Sequence, residues 1–139
     1  MQDTYSWLVW WVWTGGTHLL ENWSVEATRD ISDNHMMFGE VGGWFFKGLG
    51  GIKPDPEAPG FKHILLHPNF VGPEEFEASH DAPCGRIVSA WTRRGNTVTY
   101  RVRIPANSTA TLYLPANVDG GKVHQLGAGS HTLTLRVAK

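Results

Sequence analysis

Apolar and polar residues alternate through much of the second half of the chain, as they do in short half-buried strands. The alternation runs through "RIVSAWTRRGNTVTYRVRIP" on both sides of a turn at residues 94–96. "FKHILLHP" and "STATLYLP" are shorter runs of the same kind, and "KVHQLGAGSHTLTLRV" predicts a further pair of strands around residues 127–130. Because these strands are punctuated by Gly, Asn and Pro, they predict an antiparallel β-sandwich.

The first part of the chain has helical spacing instead. "SDNHMMFGEVGGWFFKGLGGI" begins with two good capping residues, Ser32 and Asp33. Apolar residues then recur three or four positions apart, at Phe38, Val41, Phe45 and Leu49. The run "WLVWWVW" at residues 7–13 fits a buried helix or a buried strand equally well, so its structure is left open.

The two patterns meet at "KPDPEAPG", residues 53–60, which contains three prolines and one glycine. A continuous helix cannot cross this segment, because proline lacks the backbone donor and clashes with the preceding turn. We therefore predict a helical region at residues 1–52, a linker at 53–60 and the sandwich at 61–139. The fold class is mostly β, with a short helical segment before the sandwich.

Tryptophan is concentrated in the first region, which changes what that region can be. Six of the seven tryptophans of this 139-residue chain lie within residues 1–52. About fifty residues with one or two helices cannot bury so much apolar surface alone. We expect the region to pack on the sandwich, to pair with a second copy, or to belong to a larger structure.

Charge and cysteine content exclude several classes of function. The formal net charge is −1, which gives no attraction to nucleic acid or to an anionic membrane. Residues 1–60 hold eight acidic and three basic residues, whereas residues 61–139 hold five and nine. The two parts would attract each other, or the acids would line a pocket, or the asymmetry is ordinary surface variation. Cys84 is the only cysteine, so we expect no intrachain disulfide and no thiolate metal site.

The longest apolar run has seven residues, far short of the roughly 20 that span a bilayer. It follows Asp3 rather than basic residues, so we predict neither a membrane segment nor a signal peptide. This is compatible with a cytoplasmic protein and leaves the localisation open.

Four segments follow one another in order between residues 5 and 91. They are "YSWLVWWVWTGGTHLLENW", "SDNHMMFGEVGGWFFKGLGGI", "PDPEAPGFKHILLHP" and "ASHDAPCGRIVSAW". Their order and spacing resemble the C-terminal end of bacterial α-L-rhamnosidases, which are inverting glycoside hydrolases. Segments of the type "GATTLWERW", "SLNHxxFGSVGEWLY", "DEAPGFKKIxIxP" and "YxSPYGxIxSxW" follow one another in that family.

The resemblance implies a fold and a role for each region. The catalytic domain of that family is an (α/α)6 barrel followed by a β-sandwich, so residues 1–52 would be the last helices of the barrel. The chain would be the C-terminal portion of an enzyme that removes terminal α-L-rhamnose, inactive alone because the general acid lies in the missing part. The alternative is a truncated stand-alone sandwich that binds carbohydrate or serves as a structural or oligomerisation domain.

The resemblance assigns Glu21 as the general base. Inverting hydrolysis needs one carboxyl group to protonate the leaving oxygen and a second, roughly 6.5–9.5 Å away, to deprotonate water. The apolar neighbours Leu19, Leu20 and Trp23 would raise the proton affinity of Glu21, which suits a base that works near neutral pH. From the residues alone, an ordinary acid in a first helical turn is the simpler interpretation.

The resemblance also makes His35, Trp23, Trp7 and Asn34 candidate sugar-binding residues. His35 would donate a hydrogen bond, and the two indole rings would pack on a sugar ring. The alternative is that His35 and Asn34 belong to a helix cap, and we assign Trp44 to core packing.

No metal or other cofactor is predicted. His63 and His67 lie four residues apart on one strand, which is too few ligands for a metal site unless others converge on them. The expected partners are carbohydrates, specifically rhamnosides, and a second copy bound through the Trp-rich region. Nucleic acid and membranes are not expected partners.

Overall fold

The computed structural model describes residues 40–138, with side chains from residue 42 onward. Two compact units make up the chain, residues 1–42 and 43–139, and all the strands described lie in the second. A short helix, α1 (Glu40–Trp44), leads into a π-helical turn, π1 (Phe45–Leu49). Eight strands follow: β1 (Ile52–Pro54), β2 (His63–Leu66), β3 (Glu75–Ala82), β4 (Gly85–Arg94), β5 (Thr97–Ile104), β6 (Thr109–Tyr113), β7 (Val123–Leu126) and β8 (Gly129–Arg136).

The strands form two four-stranded sheets that enclose one core. Sheet A has the order β1-β2-β6-β7 and sheet B the order β3-β4-β5-β8. Every pair of neighbouring strands is antiparallel except β2 and β6, which run parallel. The predicted fold class, a mostly β chain with a sandwich after a short helix, is confirmed, and the parallel pair is an addition to it.

Alternation along the strands builds the core, because successive side chains point to opposite faces of a sheet. On β5 the buried positions are Val98, Tyr100, Val102 and Ile104, and the residues between them face away. Trp91 is the largest fully buried side chain, and the ring of Phe70 contacts it edge-on at a centroid distance of 5.8 Å. This core draws side chains from both sheets and therefore holds them together.

The pairing of the last two strands differs from the sequence prediction. "KVHQLGAGSHTLTLRV" does contain two strands, but β7 pairs with β6 in sheet A and β8 pairs with β5 in sheet B. The chain crosses between the sheets at residues 127–128. Local sequence indicates that strands exist, whereas their partners are decided by which long-range pairing buries the apolar face.

Two strands have weak sequence patterns. β1 (Ile52–Pro54) contains a proline, starts before the predicted linker at residues 53–60 and pairs with β2 at the edge of sheet A. β3 is also an edge strand, and only Ala78 of its eight residues is fully buried. Edge strands bury little, so their sequences show little alternation.

Residues 40–49 are helical, as the sequence predicts. The burial of their side chains differs from the prediction. Leu49 is buried as expected, whereas Trp44 is 56% exposed, and its ring lies over Gly48 and meets the Phe45 ring edge-on. The assignment of Trp44 to core packing is therefore wrong for this structure. The sandwich closes over Leu49 and leaves the preceding aromatic rings on the surface.

Candidate functional site

The residues that the sequence nominated for catalysis and sugar binding all lie outside the described residues. Their roles stay predictions; they are Glu21, His35, Trp23, Trp7 and Asn34. The described part of the chain offers a different candidate, a cleft on the outer side of sheet A. The cleft has a volume of about 330 Å³ and is lined by Lys47, Gly48, Lys53, His67, Pro68, Asn69, Tyr113, Leu114 and Pro115.

The cleft exists because the segment after π1 is bound to the end of β2. The backbone N–H of His67 donates to the carbonyl of Gly51 at 2.9 Å, and the N–H of Asn69 donates to that of Leu49 at 3.2 Å. The side-chain amide of Asn69 donates to the carbonyl of Gly48 at 2.8 Å. These bonds fix the backbone between Lys47 and Lys53, so both lysines are held at the cleft.

Gly51 allows the two segments to approach so closely. Its φ is +69°, and a Cβ at this position would lie 2.2 Å from the carbonyl carbon of His67. Any side chain would therefore both strain the backbone and push the end of β2 away. The double glycine in "GLGGI" is consequently part of the construction of the cleft.

A buried hydrogen-bond network connects the segment after π1 to sheet B. Ser89 Oγ donates to the carbonyl of Gly50 at 2.6 Å and lies 3.0 Å from the hydroxyl oxygen of Tyr100. Since the single Ser89 proton goes to Gly50, the Tyr100 hydroxyl is the donor in the second bond. Burial raises the pKa of Tyr100, against a smaller opposing effect of its bond to Ser89, and keeps the hydroxyl protonated as this arrangement requires.

An aromatic pair forms one side of the cleft. The rings of His67 and Tyr113 stack with centroids 4.5 Å apart and planes 10° from parallel. They meet because β2 and β6 pair in parallel, with Leu66 opposite Leu112, so the next residue of each strand is adjacent. Tyr113 remains 38% exposed. Partial burial, and then the charge of Lys53, lower the pKa of His67, so its ring is neutral at neutral pH.

A second histidine on this face is fully occupied by hydrogen bonds. His63 Nδ1 lies 2.7 Å from Thr109 Oγ1, and His63 Nε2 lies 2.9 Å from Thr111 Oγ1. Thr111 donates to Gln125 Oε1 at 2.9 Å, so its oxygen accepts from His63. His63 and His67 therefore face different partners, and within residues 40–138 no three His, Cys, Asp or Glu side chains are grouped to hold a metal ion.

The cleft can bind but lacks the groups for acid–base hydrolysis. None of the nine lining residues, all in the described part of the chain, is acidic. Inverting hydrolysis requires two carboxyl groups, so this cleft cannot carry out that reaction. It offers two ammonium groups, one amide and an exposed aromatic ring, which together suit an anionic or polar ligand with a flat face.

A separate apolar surface lies at the start of the unit. Trp44, Phe45 and Phe46 are 56%, 44% and 43% exposed, and we call them the aromatic patch. Phe46 also lines an apolar cavity of about 230 Å³ together with residues that include Ile52, Pro54 and Phe61. Among the described residues no helix has both the length and the apolar character to span a membrane.

No simple sequence signal marks the cleft. Its lining comes from four stretches, and its aromatic pair joins residues 46 positions apart through the parallel strands. The one local signal is that "FKHILLHP" and "STATLYLP" both end in proline, which indicates two strands that stop near an edge. That signal becomes informative only once the two strands are known to be neighbours.

Comparison with known proteins gives one consistent result. Residues 51–129 match the family model described as the bacterial alpha-L-rhamnosidase C-terminal domain. An alpha-L-rhamnosidase of Alteromonas sp. (strain LOR) is 30% identical over 111 residues, which cover 74% of this chain and 12% of that protein. The chain thus spans about an eighth of the length of this curated relative.

Two solved structures are similar along nearly the whole chain. The alpha-L-rhamnosidase of Dictyoglumus thermophilum matches with a TM-score of 0.82 and 25% identity, covering 97% of this chain and 18% of that one. The alpha-L-rhamnosidase of Aspergillus terreus matches with a TM-score of 0.81 and 26% identity, covering 99% and 17%.

Proposed function

Because this chain belongs to the family of bacterial alpha-L-rhamnosidase C-terminal domains, we propose that it acts as the C-terminal part of an α-L-rhamnosidase-like glycoside hydrolase that removes terminal α-L-rhamnose with inversion. The observation that carries the proposal is the family match over residues 51–129, which spans seven of the eight strands and the first residue of β8. The sandwich unit is then the C-terminal domain of that enzyme.

The proposal divides the chemistry between two parts of the enzyme. Glu21 acts as the general base that deprotonates water, while the general acid comes from outside this chain. His35 and Asn34 hydrogen-bond the sugar, and Trp23 and Trp7 pack on its ring. None of the nine described residues that line the sandwich cleft is acidic, so within residues 40–138 that cleft supplies neither of the two carboxyl groups.

The division is tested by hydrolysis of an aryl α-L-rhamnoside by the purified chain. One carboxylate cannot supply both proton transfers, so we expect no turnover above the buffer rate. Glu21→Gln serves as the variant and Glu26→Gln as a control in the same segment. Turnover that disappears with Glu21→Gln and persists with Glu26→Gln would show that the isolated chain is itself an active enzyme.

We also propose that the isolated chain self-associates through its Trp-rich region, as the oligomerisation alternative requires. The aromatic patch supports this, since three consecutive large apolar side chains exposed to water favour contact with another surface. Light scattering after size-exclusion chromatography should show an oligomer that Trp44→Ser combined with Phe46→Ser weakens.

Val71→Ser is the matched control, because Val71 is 55% exposed and lies outside the patch. A wild-type chain that is monomeric at high micromolar concentration would contradict self-association. An oligomer equally weakened by Val71→Ser would contradict the role of the patch.

A further inference from the structure

The cleft on sheet A brings two positive charges together, and none of the described residues that line it is acidic. Lys47 and Lys53 both line it, at the two ends of the segment that the backbone bonds to Leu49 and Gly51 hold in place. Among the described residues the salt bridges lie elsewhere: Arg94 pairs with Glu74 and Glu75, and Arg86 with Asp81. Three acids of the sandwich are thus paired with arginine side chains, whereas no salt bridge joins either cleft ammonium group to an acid of residues 40–138.

The same cleft presents a flat ring and an amide. Tyr113 is 38% exposed, and its stacking on His67 fixes its orientation. A ring held this way loses little conformational entropy on contact with a ligand. Among the described residues the Asn69 side chain makes one hydrogen bond, from its amide N–H to the carbonyl of Gly48, so its second N–H and its oxygen can bind a hydroxyl group.

The size of the cleft limits the ligand to a small one. A volume of about 330 Å³ lies at the lower end of the roughly 300–1,000 Å³ range of small-molecule sites. Exposed aromatic rings suit the C–H faces of pyranose rings, and ammonium groups form charge-assisted hydrogen bonds with carboxylate or sulfate oxygens. One sugar residue that carries an acidic group satisfies both features at once.

We propose that this cleft binds an anionic sugar residue, with the pyranose ring against Tyr113 and its carboxylate or sulfate group between Lys47 and Lys53. The site goes beyond the hydrolase role and does not depend on it, because every residue involved belongs to the sandwich unit. It would add affinity for acidic saccharides to a protein that has no catalytic pair in this cleft.

The test is isothermal titration calorimetry on the full chain with two matched pairs of probes. The first pair is a galacturonate trimer and the galactose trimer of the same linkage, and the second is galactose 6-sulfate and galactose. We expect at least one anionic probe to bind about tenfold or more tightly than its neutral counterpart, since a charge-assisted bond is stronger than a neutral one. Preference for the carboxylate or for the sulfate identifies which anion the cleft recognises.

Variants assign the binding to the cleft. Lys47→Gln combined with Lys53→Gln should abolish the preference for the anionic probe and keep residual affinity for the neutral one. Tyr113→Ala should weaken the binding of the anionic and the neutral probe by a similar factor. Lys62→Gln is the control, because Lys62 is exposed and precedes β2 at the end opposite His67. Thermal unfolding of each variant checks that the sandwich is intact.

Three results would overturn the proposal. The first is equal affinity for the anionic and the neutral member of both pairs, including no binding of either. The second is an equal loss of affinity in Lys62→Gln and in the double cleft variant. The third is inorganic sulfate or acetate binding as tightly as the anionic sugars, which would make the cleft an ion site rather than a sugar site.

Discussion

Two groups of aromatic side chains in this unit have opposite environments. Phe70, Trp91 and Tyr100 are 3%, 1% and 0% exposed, and the Phe70 ring contacts those of Trp91 and Tyr100 at centroid distances of 5.8 and 5.5 Å. The aromatic patch of Trp44, Phe45 and Phe46 has the same kinds of residue but lies on the surface. The sandwich therefore completes its own core, whereas the segment before it presents apolar surface that the sandwich does not cover.

The contrast predicts a large difference between two tryptophan substitutions. Trp91→Ala removes a fully buried ring and should lower the free energy of unfolding by about 3–5 kcal/mol. Trp44→Ala removes an exposed ring and should change it by less than about 0.5 kcal/mol. Urea denaturation of both variants measures the difference, and a Trp44 effect as large as that of Trp91 would mean that the patch belongs to the core.

Gly51 and Gly120 differ in how closely other atoms surround them, so the same Gly→Ala change should have different costs at the two positions. Both have positive φ, +69° and +72°, but a Cβ on Gly51 would strike His67 and Pro68, whereas one on Gly120 meets nothing within 4 Å. Gly120→Ala should cost only the backbone term of about 1–2 kcal/mol. Gly51→Ala should cost more and should also disturb the cleft, as measured by denaturation and by loss of saccharide binding. Equal costs would contradict the close packing of Gly51 on β2.

Substitutions in the buried network of Ser89, Gly50 and Tyr100 should lower the free energy of unfolding by a smaller amount. Ser89→Ala leaves both the Gly50 carbonyl and the Tyr100 hydroxyl without their partner and should cost about 1–3 kcal/mol. Tyr100→Phe leaves the Ser89–Gly50 bond intact and should cost about 0.5–1.5 kcal/mol. The order of the two denaturation midpoints checks the direction of the bonds, and a reversed order would be inconsistent with Ser89 as the donor to Gly50.

The smallest expected effect on stability is the pH dependence that His67 contributes. The pKa of His67 is lowered in the folded chain, so as pH falls the unfolded chain takes up this proton first. The stabilisation is complete above the ordinary pKa near 6.5 and is lost as pH falls through the lower folded value. His67→Gln should therefore lose less stability than the wild type between about pH 7.5 and about pH 5. Identical pH dependence of the urea midpoints would contradict a lowered His67 pKa.

The sequence predicts a strand well where one face of the strand is buried and the other is exposed, because apolar and polar residues then alternate. β4 and β5 alternate around residues 94–96, and each residue on the inner face of β5 is buried. β3 gave no clear signal because an edge strand buries only Ala78. The separation of β7 and β8 into different sheets was not predictable, because pairing is decided by contacts far apart in sequence.

The cleft was even less predictable from the sequence, because it depends entirely on contacts between distant residues. His67 and Tyr113 become neighbours only through the parallel pairing of β2 with β6, and Lys47 reaches the cleft only because Gly51 permits close approach. Periodicity contains no information on either event. The family, by contrast, was predictable from four ordered segments, since order and spacing survive where single residues differ.

Under the proposed function, Glu21 is the general base of an α-L-rhamnosidase and the general acid comes from outside this chain. The most direct measurement is the hydrolysis rate of a chimera in which this chain replaces the matching portion of the Dictyoglumus thermophilum alpha-L-rhamnosidase. We expect the chimera to hydrolyse an aryl α-L-rhamnoside, and Glu21→Gln to reduce its rate by about 10²–10⁴-fold while Glu26→Gln leaves it unchanged. A folded, active chimera whose rate is the same with Glu21→Gln would contradict the claim.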